Sequence, residues 1–386
     1  MKVPIYMDHA ATTPVSEEVV SAMLPYFTQF YGNASAIHSL GAAAREAIET
    51  ARESVALALN ATPEEIVFTS GGTESDNTAI RGLAGPHAPK GRHLLCSAIE
   101  HHAVLETLEA VAEQSGHELE VVPVDTDGRI DPGEIAKRIR AETALVSVMH
   151  ANNEIGTIQP IAVIGALCRE RGIPFHTDAV QTVGKLPIDV RAMHIDLLSL
   201  SAHKLYGPKG IGALYIRRGV SLERYQDGGQ QERGRRGGTL NVPGIVGLGR
   251  AIDISVSDIE AEGARLTGLR NGLLDAIEAQ IDGVRIIGNR TLRLPMNVHV
   301  CIEGIQGEAL LLALDAAGIC ASAGSACAAG STDPSHVLKA LGIDRDLARG
   351  ALRLTLGKST GRDEIDYLVE TLARAVRNLR RLGSRN

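Results

Sequence analysis

The chain has 386 residues, 44% apolar and 22% charged, the profile of a soluble protein with a full core and length for two domains. With 39 Lys and Arg against 46 Asp and Glu the net charge is −7, aromatics are 3% and Trp is absent, so direct nucleic-acid binding is not expected. The five cysteines, Cys96, Cys168, Cys301, Cys320 and Cys327, are irregularly spaced and form no C-x-x-C pair, which argues against a disulfide framework and against a structural metal site. Residues 1–8 lack the basic start and apolar core of a signal peptide, and no apolar run reaches the about 18 residues that a bilayer requires. No membrane association is expected, and the cytoplasm is the expected location.

From Thr62 to about Arg217, short β-branched runs alternate with helical stretches. The spacing predicts strands at Ile66–Thr69, His93–Ser97, Glu120–Val124, Leu145–Met149, Pro174–Thr177, Asp196–Leu200 and Gly212–Ile216. Several are apolar at consecutive positions, as strands covered on both faces must be. A helix is predicted over Ile161–Arg171, with Ile161, Ile164 and Leu167–Cys168 on one face. Strand–helix alternation implies an α/β layer with a mainly parallel sheet.

Beyond Gly249 the pattern changes. A long helix is predicted from about Val256 to Ile281, then strands at Arg285–Ile287 and Val298–Ile302. A final helix is predicted from Thr360, read as an N-cap with Asp363 three residues on, burying Ile365, Leu368, Val369, Leu372 and Val376. Its basic end (Arg374, Arg377, Arg380 and Arg381) could dock a partner, but is more simply a solvated terminus favoured by the helix dipole. These patterns divide the chain into a large α/β domain over 15–255 and a smaller α+β domain formed by 1–14 and 256–386. Residues 321–331 carry no bulky anchor, so this loop is expected to be mobile and exposed, with Cys327 as its reactive group.

Two glycine-rich stretches are set aside. Gly357-Lys358-Ser359 resembles the end of a P-loop, but Leu352 stands at the required upstream glycine, and Gly207–Gly212 precedes a strand rather than opening a helix.

The informative run is Ser70-Gly71-Gly72-Thr73-Glu74-Ser75-Asp76-Asn77, which follows a strand and opens a helix. Its small residues let backbone N–H groups approach a phosphate; read alone, it is equally a plain capping turn. Asp178 lies past a strand end, where open α/β sheets place ligands, and could hold a cationic ring nitrogen or simply cap a helix. Gln181 follows on the same turn. Lys204, in Ser201-Ala202-His203-Lys204, could be a partly desolvated Schiff-base amine or a solvated loop residue. A phosphate cup, an acid for a pyridinium and a lysine together make the three-point grip of pyridoxal 5'-phosphate.

With these residues in place, the sequence resembles the cysteine desulfurases, NifS/IscS-like members of the class-V aminotransferase family of fold-type-I pyridoxal-phosphate enzymes. The resemblance runs through Asp8–Pro14, Gly71–Ser75, Glu100-His101, Asn152–Gly156, His176–Gln181, Ser201–Lys204, Glu232–Thr239, Gly324–Cys327 and Arg353–Gly357. Residues 32–38 depart from it, reading Gly-Asn-Ala-Ser-Ala-Ile-His where Gly-Asn-Pro-Ser-Ser-x-His is usual, and Lys358 stands where Arg is common.

The resemblance implies a fold-type-I transferase: a large domain with a mainly parallel sheet flanked by helices, plus the smaller domain. It implies that Lys204 carries the cofactor, Asp178 pairs its ring nitrogen and His101 stacks on the ring and handles protons, while His102 faces solvent. Gly72, Thr73, Ser201 and His203 would surround the phosphate, with Thr239 reaching across from the second subunit of a homodimer. Asn153 and Gln181 would touch the ring, Asn153 also the substrate. Arg353 would clamp the substrate carboxylate, a structural salt bridge being its plainer reading. The implied reaction turns L-cysteine into L-alanine and leaves a persulfide on Cys327, for transfer to an iron–sulfur scaffold or another acceptor. Cys320 is the weaker competitor for that sulfur, and the other cysteines read as structural. The alternative is another enzyme of the same fold, a selenocysteine lyase or a class-V aminotransferase.

Overall fold

A computed structural model of the chain describes residues 4–85, 91–324 and 334–383. The described strands are β1 (Ile5–Tyr6), β2 (Ile66–Thr69), β3 (His93–Ser97), β4 (Glu118–Val122), β5 (Thr143–Ser147), β6 (Phe175–Asp178), β7 (Leu197–Ser201), β8 (Gly212–Ile216), β9 (Val284–Ile286), β10 (Asn297–Ile302), β11 (Ile319–Cys320) and β12 (Ala351–Thr355). Seven form one sheet in the order β2-β8-β7-β6-β5-β3-β4. β8 is antiparallel to both of its neighbours, and every other pairing is parallel. β2, β3, β5, β6, β7 and β8 are buried at every position, so consecutive apolar residues face helices on both sides. The edge strand β4 instead carries Glu118 and Glu120, paired with Arg138 and Arg140, charges that discourage addition of a further strand.

Ile66–Thr69, His93–Ser97 and Gly212–Ile216 match the expected strands at both ends, and the other expected strands are displaced by one or two residues at one or both ends. β4 begins at Glu118 because its parallel register places Glu118 beside His93 and Val122 beside Ser97. Val124, expected inside it, makes an isolated bridge to Ile130. The helix read as Val256–Ile281 is two helices, Val242–Ser257 and Ile259–Gln280, which meet at Asp258 with a non-helical backbone. The first of them is glycine-rich, which hides it from propensity. A Cβ on Gly249 would lie 2.7 Å from Ala51 Cβ, so glycine there lets this helix pack closely on the helix Ser39–Leu59.

The final helix runs over Arg362–Gly383 and buries the five residues expected of it. Its start is not the predicted one. The Thr360 hydroxyl accepts from Gly357 N–H at 2.9 Å, and Glu364, not Asp363, reaches back to Gly361 N–H at 3.0 Å.

Two large apolar clusters result, and a smaller one joins Ile99, Met149 and Ile155 to Ile287, Cys301 and Val337. One of the large clusters spans residues between Val19 and Ile252 and joins the large sheet to its helices. The other packs the antiparallel sheet β12-β10-β9 against the helices Ile259–Gln280 and Arg362–Gly383, and takes in Met7 from the N-terminal segment. That segment bridges Thr355 of β12 through Asp8 and then reaches the turn after β7, where Thr13 N–H donates to the His203 carbonyl.

Candidate active site

The C-terminal ends of β6 and β7 and the start of the helix Gly72–Ala84 open onto a cavity of about 310 Å³. Small-molecule sites of α/β sheets occupy this position.

Lys204 lies in the single turn Ala202–Lys204 that follows β7. Its Nζ donates to the carbonyls of Ala10 and Ala11 at 2.7 Å each, which fastens the N-terminal segment over the cavity. Asp178 ends β6, and its Oδ1 accepts from Val180 N–H at 2.8 Å. Burial pushes its carboxyl up to about 6, against the opposing pull of that N–H and of the Lys204 charge.

Gly72 and Thr73 begin their helix at the cavity wall, with Ser201 and His203 beside them. A Cβ on Gly72 would come 2.7 Å from Val180 Cγ2, so glycine keeps this wall open. The preceding Gly71 has φ +154, a conformation that side-chain-bearing residues rarely adopt. Glu74, paired with Arg236 at 2.9 Å, accepts from Ser70 N–H and steadies the turn. His203 Nδ1 lies 3.1 Å from the Thr12 hydroxyl. Burial and the charges of Lys204, Lys209 and Lys185 hold the His203 ring down at about 4.

His101 caps the helix His102–Ser115, its Nδ1 accepting from Ala103 N–H at 3.1 Å. Burial, aided by the Lys204 charge, lowers its pKa to about 4. The ring is therefore neutral at pH 7, and with Nδ1 accepting, its proton sits on Nε2.

Arg353 projects from β12 and is 2% exposed. It gives Nη2 to Asp8 Oδ1 at 2.8 Å and Nη1 to the Asn153 carbonyl at 3.1 Å. The ion pair that was its plainer reading is thus present, and the guanidinium also lines the cavity.

Lys204, Asp178, His101, Asn153, Gln181, Gly72, Thr73, Ser201, His203 and Arg353 all line this one cavity. Thr239 does not; it is exposed and lies outside the lining. Cys327 falls outside the described residues. Cys96, Cys168 and Cys301 are buried, and burial pushes the last two thiols up to about 12. Cys320 is partly exposed in β11, and its thiol is also raised, by burial and then by Asp315 and Asp8.

The His102 side chain is 40% exposed, in keeping with the solvent-facing position expected of it, but it also borders the cavity. Its ring lies 4.8 Å from that of His336. Asp76, Glu154, Ala10 and Ala11 were also unread as wall residues; the motifs containing them were visible, but nothing local marks the direction in which they point.

Four buried polar atoms of the wall have no partner among the described residues: Asp76 Oδ1, Glu154 Oε2, Gln181 Oε1 and Arg353 Nε. Buried polar groups are ordinarily satisfied, so a wall that leaves several open suits a polar ligand. An acid at a strand end, a glycine-lined helix start and a lysine one strand over fit pyridoxal phosphate at its ring nitrogen, phosphate and aldehyde. Fold and site together define a pyridoxal-phosphate enzyme.

A family model described as aminotransferase class-V matches residues 5–368. Curated relatives named cysteine desulfurase IscS are 47% identical in Dictyoglomus turgidum, over 99% of this chain and 97% of the relative, and 50% identical in Methanosarcina thermophila, over 98% and 93%. A solved NifS-like protein superposes with a TM-score of 0.91 at 37% identity, covering 97% of this chain and 100% of that one. A structure described as SspA in complex with cysteine gives a TM-score of 0.80 at 40% identity, covering 91% and 98%. The chain belongs to the aminotransferase class-V family and, within it, to the pyridoxal-phosphate-dependent cysteine desulfurases.

Proposed function

We propose that the chain converts L-cysteine to L-alanine and takes the sulfur as a persulfide on Cys327. The observation that carries the reading is the convergence of Lys204, Asp178 and Arg353 on one cavity whose wall begins a helix at Gly72. The whole-length likeness to relatives named cysteine desulfurase favours it over the lyase and aminotransferase alternatives.

Pyridoxal phosphate, when bound, supplies an electron sink for the carbanion at the substrate Cα. Asp178 would hold its ring nitrogen, with Gly72, Thr73, Ser201 and His203 around its phosphate, Gln181 and Asn153 at its ring edge and His101 on its face. Lys204 binds the cofactor and then serves as the base that takes the Cα proton. Its two carbonyl contacts hold the amine at the ring side of the cavity, and both must be released for it to act. Arg353 receives the substrate carboxylate, for which its open Nε and the remaining Nη protons are available. His101, with its proton on Nε2, can protonate a leaving or departing group.

At Cys327 the new bond is S–S and the broken one is the substrate Cβ–S, so cysteine plus the Cys327 thiol gives alanine plus the Cys327 persulfide. The attacking form is the thiolate, a few per cent of an ordinary thiol at pH 7. The persulfide sulfur would pass to an iron–sulfur scaffold or another acceptor, in the cytoplasm. That the four described cysteines are free thiols supports the location.

Two further parts belong to the same proposal. The division into 15–255, and 1–14 with 256–386, is supported by the two largest apolar clusters, which fall mostly on either side of it, while a smaller cluster around Ile155 and Ile287 joins the two parts. A homodimer, with Thr239 completing the partner's cofactor site, is supported by exposed Leu24, Phe27, Tyr31 and Ile37 near the N-terminus.

Cys327→Ala tests the sulfur step. The variant should bind pyridoxal phosphate and cysteine but pass no labelled sulfur to an acceptor, whereas Cys320→Ala should transfer at nearly the normal rate. Label on Cys320, or transfer at the normal rate by Cys327→Ala, would sink the persulfide assignment.

A further inference from the structure

Arg353 faces the cavity, but the acid that holds it does not. Asp8 Oδ1 accepts from Arg353 Nη2 at 2.8 Å, with the arginine side chain 2% exposed and the aspartate side chain 18%. The cavity lining takes in Arg353, Ala10 and Ala11 but not Asp8, so the carboxylate meets the guanidinium from outside that lining. Among the described residues, Asp8 is the one acid hydrogen bonded to Arg353. Glu154 lines the cavity and feels the Arg353 charge, but makes no hydrogen bond to it.

Asp8 is held in place by the strand that carries its partner. Thr355, two residues beyond Arg353 on β12, gives its N–H to the Met7 carbonyl at 2.7 Å. The Thr355 hydroxyl accepts from Ala10 N–H at 2.9 Å. The backbone is thus tied to β12 on both sides of Asp8, and the carboxylate cannot swing away without releasing those bonds. The next residues of the segment supply the Ala10 and Ala11 carbonyls that receive Lys204 Nζ. Arg353 is fixed as firmly, its N–H on the Ser322 carbonyl at 2.7 Å and its Nη1 on the Asn153 carbonyl at 3.1 Å. A guanidinium has further N–H groups to offer, so a ligand carboxylate can bind while the Asp8 pair stays intact.

The pair has a consequence for binding. A buried ion pair stripped of one partner leaves the other charge uncompensated. An arginine alone in this wall would therefore gain much from any carboxylate that entered. Substrate and product of the proposed reaction carry the same carboxylate, so a stronger grip would hold both alike and would not speed the chemical step. With Asp8 in contact, the guanidinium is already half compensated when the ligand arrives.

We propose that Asp8 is a positioning residue of the substrate site, a fixed counter-ion that aims Arg353 at the cavity and weakens its hold on the amino-acid carboxylate, so that the product can leave. This rests on the reading of Arg353 as the carboxylate clamp.

The test compares L-alanine with ethylamine, the same molecule without its carboxylate, as ligands of the cofactor-loaded chain. Binding is followed by the absorbance of the bound cofactor, with urea denaturation alongside. Asp8→Asn keeps an oxygen for Nη2 and removes the charge. It should bind L-alanine more than about threefold more tightly than wild type and ethylamine equally to within about twofold, the scale of one like charge removed from nearby. Its urea midpoint should fall. Asp8→Ala also loses the oxygen that orients the guanidinium, so its gain in L-alanine affinity should be smaller than that of Asp8→Asn. A merely structural pair predicts otherwise, with a loosened site that weakens both ligands together. L-Alanine bound no more tightly by Asp8→Asn than by wild type, or as tightly by Asp8→Ala as by Asp8→Asn, overturns the proposal. If Asp8→Asn does not fold, Asp8→Ser, whose hydroxyl offers Nη2 an oxygen, is judged by the same criteria. Arg353→Gln separates the two possible failures. If it binds L-alanine as wild type does, the clamp reading fails and the Asp8 role with it. If it loses more than about tenfold, the scale of hydrogen bonds to a charged group, while Asp8→Asn changes nothing, only the Asp8 role fails.

Discussion

Two buried polar clusters of this molecule are built to opposite rules. Between the helix Ser39–Leu59 and the segment before Thr239, Arg52 and Glu232 meet through two parallel bonds of 2.8 Å, Arg52 Nη1 also reaches the Ile66 carbonyl, and Glu232 accepts from Phe68 N–H. Both sides are nearly sealed from water, and the Arg52 guanidinium stacks 4.7 Å over Phe68. In the cavity, by contrast, Asp76 Oδ1, Gln181 Oε1 and Arg353 Nε are left open. An unmade buried hydrogen bond costs about 1–3 kcal/mol, so the cavity holds several such costs that a ligand can offset, while the Arg52 tie holds none. Burial of charge alone therefore does not mark a functional site. Incomplete pairing around a space does.

The largest expected effect breaks the cavity side of this contrast. Lys204→Ala should fold, lose borohydride-trappable cofactor and lower alanine formation by more than about 1,000-fold, as removal of a binding amine that is also a base should. Measured turnover within tenfold of wild type, or cofactor still trapped on the chain, would remove Lys204 from its role.

The second breaks the tie. Arg52→Ala leaves Glu232 buried with a single N–H partner and should cost about 3–5 kcal/mol in urea denaturation. Replacing both residues together, Arg52→Met with Glu232→Leu, should recover a good part of that loss. A single-variant cost under about 1 kcal/mol would mean the pair behaves as a surface bridge.

The smallest sharpens the contrast with a third buried group. His299 on β10 has Nδ1 3.1 Å from the Glu154 carbonyl, no partner on Nε2, and a pKa that burial lowers from 6.5 to about 3. The unfolded ring takes up its proton near the ordinary value and the folded one does not. Stability should therefore fall as pH drops through this window, by about 1.4 kcal/mol per pH unit for that one proton. His299→Gln should make the pH dependence shallower by that amount between about pH 6 and pH 4. Parallel curves for the two proteins would show that the folded ring titrates normally.

Much of the fold was legible locally. The strands of the large sheet are short β-branched runs separated by helix-length spacers, and burial on both faces leaves that mark on single windows of sequence. Lys204, Asp178 and the Ser70–Asn77 turn were legible for a related reason, since each sits where a strand ends and a ligand can reach. The missed helix start at Val242 has a local cap, Asn241 accepting from Gly244 N–H, but the glycines that weaken its helical signal are explained only by close packing such as that of Gly249 on Ala51, nearly two hundred positions away, and the predicted Thr360 cap gave way to a bond from Gly357. Residue types and local order could not show that Asp8 would meet Arg353, that Glu232 would meet Arg52, or that Asp76, Glu154 and Asp178 would share one wall. Those pairings decide which groups are charged, because the solvation and partners of a buried group exist only once distant segments have closed around it. The sequence by itself determined the elements and the chemistry available at their ends; tertiary packing alone decided which of those groups are paired, which are neutral and which are left open.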